Sequence, residues 1–121
     1  MKYILLVIAS LFTIAGCASG YQTMDPYVQK LQWLDAADPQ NDANQAIKKA
    51  DFRLLGLAAN RSVNIPGVVK EESLKYELKC GVQLIDGISD VVRSDEHLRL
   101  MQKARSYALK YNAIIKTRCK P

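Results

Sequence analysis

Residues 94–116, SDEHLRLMQKARSYALKYNAIIK, carry the longest periodic pattern in the chain and decide how the rest must fold. Leu98, Met101, Ala104, Ala108, Tyr111 and Ile115 recur at steps of three and four, and Leu100, Tyr107 and Ile114 widen the same side. That spacing predicts one long amphipathic helix. Ser94 stands where an N-cap belongs, and Asp95 and Glu96 fall in the first turn, where negative charge suits the helix dipole. At about 100° per residue, Arg99, Lys103 and Lys110 gather on the opposite side as a candidate basic surface.

Upstream of this helix the patterns shorten. Leu74, Tyr76, Leu78, Cys80, Val82 and Leu84 alternate with Lys75, Glu77, Lys79, Gly81 and Gln83, which predicts a half-buried strand over about 79–86. Residues 71–78 stay open between helix and strand, because their Glu, Leu and Lys content suits a helix. Asp86-Gly87 marks a turn before the long helix. FRLLGLA, residues 52–58, is an apolar run short enough for a strand and interrupted by Gly56. Asn60-Arg61-Ser62 reads as a turn, and SVNI, residues 62–65, as extended chain ahead of Pro66-Gly67. Asp38-Pro39 opens a helix running to about Ala50, since Asp caps and Pro fits the first position. Before it, PYVQKLQWLDAA from Pro26 places Tyr27 or Val28, Leu31 and Leu34 at helical spacing; Trp33 is either a packing residue or a membrane-interface anchor. The expectation is a single α+β domain over residues 25–121, with two N-terminal helices. A sheet of two or three strands, about 52–58, 62–65 and 79–86, lies beneath the long C-terminal helix. So small a sheet leaves its edges open unless a helix or a partner strand covers them.

The N-terminus has a different character. MKYILLVIASLFTIAGC, residues 1–17, has a basic Lys2, an apolar and small-residue run of 11 residues from Ile4 to Ile14, and small side chains at Ala15-Gly16 before Cys17. This is the layout of a signal peptide, and the run is shorter than the roughly 20 residues of a membrane-spanning helix. Ile14-Ala15-Gly16-Cys17 resembles the lipobox of bacterial lipoproteins. The resemblance covers these residues alone. It implies a signal peptide over 1–16, acylation of Cys17 by three chains, a tether over 17–24 and a domain held close to the membrane. Ala18, rather than Asp, after the cysteine implies the inner leaflet of the outer membrane, facing the periplasm. Two other readings of Cys17 remain: part of an ordinary cleavage site, or a structural cysteine.

Composition sets further bounds. Of 121 residues, 105 remain after residue 16, enough for one small domain. The net charge of +5 becomes +4, because Lys2 leaves and no acid does. Basic residues concentrate from Arg99 to Lys120, a stretch free of acids. In an exported protein such a segment points to anionic lipid or cell wall rather than nucleic acid, or simply to a solvated face. With Cys17 acylated, Cys80 and Cys119 are the remaining thiols, and an oxidising compartment favours a disulfide between them. A helix folding back over the preceding strand brings Cys119 near Cys80. A redox pair would sit closer in sequence, as Cys-x-x-Cys.

Chemistry-bearing motifs are sparse. His97, the only histidine, falls within the apolar side of the helix and is either a packed, hydrogen-bonded residue or a general base served by Asp86, Asp90 or Ser94. Nothing resembling a nucleophile elbow accompanies it. DGISD, residues 86–90, lacks the spacing of a calcium loop and is explained by a turn followed by a cap. No cofactor fingerprint or metal motif is present. The function that best fits is a non-enzymatic, membrane-anchored envelope lipoprotein that binds, or helps assemble, an envelope protein. An enzyme or small-ligand binder built on His97, and an electrostatic attachment module built on Arg99, Lys103 and Lys110, are the alternatives.

Overall fold

The computed structural model describes residues 24–121. The expected signal peptide, Cys17 and the expected tether through residue 24 fall, up to residue 23, outside the described residues. Helix α1 (Pro26–Leu31) starts at Asp25, whose carboxylate accepts the Tyr27 N–H at 2.8 Å. The chain then tightens into a 3-10 segment, Gln32–Ala36, so the expected first helix is split in two. Helix α2 (Pro39–Lys48) is capped by Asp38, which accepts from the N–H groups of Gln40 and Asn41. It ends short of the predicted Ala50, which adopts a left-handed conformation at φ 59°.

Strands β1 (Leu54–Ala59) and β2 (Ser62–Asn64) form an antiparallel hairpin. Its two loop residues, Asn60 and Arg61, have φ of 49° and 65°. Positive φ at both positions is the mark of a type I′ turn, whose twist matches that of the flanking strands in a two-residue hairpin. Strand β3 (Val82–Leu84) pairs parallel to the other side of β1, giving the order β2-β1-β3. Leu54 to Leu57 are buried without alternation, as in a strand covered on both faces.

The expected strand over 79–86 needs correction. Residues Ser73–Cys80 form helix α3, and only Val82–Leu84 is extended. The alternation misleads because residues two apart contain two interleaved sets four apart. Tyr76 and Cys80 turn inward, whereas Leu74 and Leu78 stand 64% and 79% exposed. With either period available, helix propensity decides. Gly81 ends the helix at φ 83°, donating to the Glu77 carbonyl at 3.0 Å, and the chain enters β3 directly.

Helix α4 (Asp95–Ile115) is the predicted long helix, with the Ser94 hydroxyl capping it. It packs against β1, α1 and α2. Leu31, Leu34, Leu54, Ile65, Leu100 and Ile115 are fully enclosed, each contributing about 1.5–3 kcal/mol of apolar transfer. Leu98, assigned from its spacing to the apolar face, is instead 39% exposed, because it lies about 120° around the helix from Ala104.

One buried contact of α4 is polar. The hairpin register places Leu55 opposite Pro66, which has no N–H to continue the ladder. Asn112 supplies the missing partner. Its Oδ1 accepts from Leu55 N–H at 2.7 Å, and its Nδ2 donates to the carbonyls of Leu55 and Pro66, both at 2.9 Å. Fully enclosed, this amide serves as a one-residue substitute for a strand.

Candidate functional site

The polar residues singled out around the start of α4 are each committed to a different neighbour. His97 is fully buried; its Nδ1 accepts from Arg93 N–H at 3.2 Å, which places the ring proton on Nε2, donating to the Gly87 carbonyl at 2.9 Å. Ser94 Oγ accepts the His97 N–H at 3.1 Å. Both oxygens of Asp90 accept from Asn60 N–H, at 2.9 and 3.0 Å, and so brace the hairpin turn. Asp86 points to solvent and lies 3.5 Å from Lys30 Nζ. These groups therefore do not converge. They tie the 86–94 loop to α1, to the hairpin and to α4. The loop crosses so close to α1 that a Cβ on Gly87 would stand 2.9 Å from Leu31 Cγ.

The candidate basic surface is partly neutralised. Arg99 makes a two-pronged contact with Asp35 at 2.9 and 3.0 Å and also holds Glu96, while Lys103 reaches Asp35 at 3.0 Å. These hydrogen bonds, from Arg99 first and then Lys103, hold the Asp35 carboxyl far below the usual carboxylate range. Asp25, Asp51 and Glu96 are lowered in the same sense, through hydrogen bonds from Arg93, Arg53 and Arg99 respectively. Carboxyls with depressed folded-state values stabilise fully above their unfolded value of roughly 4, and that stabilisation is lost as pH falls through the folded values. Thermal midpoints should therefore drop on acidification from about pH 4 toward 2, and Asp35→Asn should drop less steeply. The effect is small, because solvent screens exposed pairs. Equal slopes for Asp35→Asn and the wild type would show that the cluster contributes nothing.

A more open feature lies between α4 and β3. A groove of about 410 Å³ is lined by Trp33, Tyr107 and Tyr111 together with Asp42, Gln83 and Leu84. Trp33 meets Tyr107 edge-on at 5.0 Å, and Tyr107 stacks on Tyr111 at 6.0 Å. The Tyr107 hydroxyl donates to Asp42 Oδ2 at 2.6 Å. Burial, and then this carboxylate, push the phenol well above its ordinary value, so it stays neutral and donating. Trp33, 44% exposed, leaves much of its indole to solvent. Asp86 stands at the lip, and no lysine or arginine lines the groove.

Strand β3 forms one wall. Leu54 N–H donates to Gly81 O and Ile85 N–H to Gly56 O, so the backbone of residues 81, 83 and 85 faces β1. The N–H and C=O groups of Val82 and Leu84 therefore face outward. Among the described residues they have no backbone partner. The groove thus combines an open sheet edge, an aromatic floor and two carboxylates.

No protein-family model matches the chain, and no curated protein or solved structure matches it significantly. Among the described residues, no three or more His, Cys, Asp or Glu side chains are grouped to hold a metal ion, and no helix is long and apolar enough to cross a membrane.

Proposed function

We propose that this chain is a non-enzymatic lipoprotein of the bacterial envelope, anchored through Cys17, that captures an extended segment of an envelope protein along β3. The observation that carries the reading is the outward backbone of Val82 and Leu84 beside the aromatic groove. An added strand gains main-chain hydrogen bonds from such an edge and specificity from the adjoining pocket. Each bond contributes about 0.5–1.5 kcal/mol net. Asp42, which holds the Tyr107 hydroxyl, and Asp86, shared with Lys30, line the groove with no basic residue in its walls, which favours a segment carrying Lys or Arg whose cation can also rest on an indole face. The Cys80–Cys119 disulfide supports an oxidising compartment such as the periplasm. The separate commitments of Asp86, Asp90, Ser94 and His97 support a binding role over catalysis.

A photo-crosslinking residue in place of Gln83, introduced in living cells, should yield one dominant protein adduct. Leu84→Pro should abolish it while leaving the fold intact, because the lost N–H points away from β1. Cys17→Ser should weaken the adduct by releasing the domain from the membrane. An adduct unaffected by Leu84→Pro, or reproduced from Lys75 on α3, would refute capture along β3.

A further inference from the structure

A second pair of cavities lies on another flank of α4. The first, about 380 Å³, opens between β2, the 65–68 loop and the start of α3, and is lined by Lys70 and Arg105 with Ser62, Asn64 and Ser73. The second, about 220 Å³, is lined mainly by Leu57, Ala59, Ile88 and Met101. Asn64 and Arg105 belong to the walls of both, so the cavities adjoin. One is cationic and the other apolar, and no aspartate or glutamate lines either.

Charge sharpens the contrast. Arg53, Arg93 and Arg99 each bind a carboxylate. Among the described residues, neither Lys70 nor Arg105 lies within ion-pair distance of one. Two cations beside the Asn64 side-chain amide offer donors suited to a phosphate or carboxylate, while the Ser62 and Ser73 hydroxyls donate to the carbonyls of Ala59 and Val69. The apolar neighbour exceeds the roughly 150 Å³ cavity that accepts a benzene ring, so it has room for the end of an alkyl chain. Arg105 lies about 160° around α4 from Tyr107, which separates this site from the aromatic groove.

We infer that the paired cavities bind an anionic amphiphile, its phosphate or carboxylate between Lys70 and Arg105 and its hydrocarbon against Leu57, Ile88 and Met101. Phospholipids and fatty acids share this chemistry. For a protein working at a membrane surface, either would be within reach. The inference is independent of strand capture at β3, and each can fail without the other.

Calorimetric titration of the full oxidised chain with decyl phosphate, decanoate, inorganic phosphate and uncharged decyl maltoside tests it, all below their micelle concentrations. One of the two charged amphiphiles should bind saturably, and the tighter of them identifies the headgroup. Inorganic phosphate and decyl maltoside should bind at least about tenfold more weakly. Arg105→Gln and Lys70→Gln should each lower affinity about tenfold, whereas Lys110→Gln should leave it unchanged. Met101→Asp, which places a charge in the apolar cavity, should abolish binding without altering the response to inorganic phosphate. Inorganic phosphate or maltoside matching the charged amphiphiles would overturn the inference, as would full affinity in Arg105→Gln.

Discussion

Replacing Asn112 by alanine should cost about 3–5 kcal/mol of folding stability, a large share of the 5–15 kcal/mol typical of a domain. The substitution removes one side chain but orphans three backbone groups, the Leu55 N–H and the carbonyls of Leu55 and Pro66. Each buried polar group left without a partner costs about 1–3 kcal/mol, and the vacated volume adds a cavity term. No neighbour can step in. Pro66 lacks an N–H, and the backbone of α4 is used within the helix. Asn112→Asp should be worse than alanine, since its second oxygen would face two carbonyls and its charge would be enclosed. Asn112→Leu keeps the volume and loses the same bonds, so it should match alanine within about 1 kcal/mol. Urea unfolding gives the measurement, with the exposed Lys110→Ala as a control expected within about 0.5 kcal/mol of wild type. A loss below about 1 kcal/mol in Asn112→Ala would mean that water or a shifted strand satisfies Leu55.

Asn112 also shows why part of the fold was hidden in the sequence. Helix α4 was legible from end to end because twenty-one residues repeat one period and Ser94 supplies the cap. Counting apolar residues along that period passes over an asparagine. Yet position 112 lies within the buried arc, about 80° from Ala104, and a polar residue there signals an enclosed hydrogen-bonding group. His97 carried the same signal and was readable, since its place on the apolar side implied a packed, bonded ring. Residues 71–78 stay open in the sequence, and the strand expected from 79 begins only at Val82, because eight residues are too few to separate a period of two from a helical one when alternate positions are all apolar. The aromatic groove was not legible. Trp33, Tyr107 and Tyr111 come from distant parts of the chain and meet only after α4 has packed beside the 3-10 segment, and no local pattern encodes that meeting. The basic residues were legible as a set but not as individuals. Asp35 neutralises two of the predicted surface cations, whereas Arg105, on the other flank, keeps its charge available.

The second large effect should follow from opening the Cys80–Cys119 disulfide. The bond spans 39 residues, and closing such a loop removes unfolded-state entropy equivalent to roughly 3–4 kcal/mol. Its local consequence is more specific than that sum. Helix α3 has little else to hold it: Tyr76 is its one fully inward side chain, and Leu74 and Leu78 project into solvent. The disulfide fixes the last residue of α3 to the segment just after α4, and Gly81, the next residue, starts β3. A Cys80→Ser, Cys119→Ser double variant should thus lose about 2–4 kcal/mol in urea unfolding. Hydrogen exchange should accelerate first in residues 73–84, while β1 and the middle of α4 keep their protection until global unfolding. The outward edge of β3 inherits this dependence. If partner capture requires that edge to be held straight, the double variant should also weaken the crosslink from Gln83 under conditions where α4 remains folded. Uniform acceleration along the whole chain would instead make the disulfide a global clamp, and an undiminished crosslink would show that β3 is kept in place by its ladder to β1 alone.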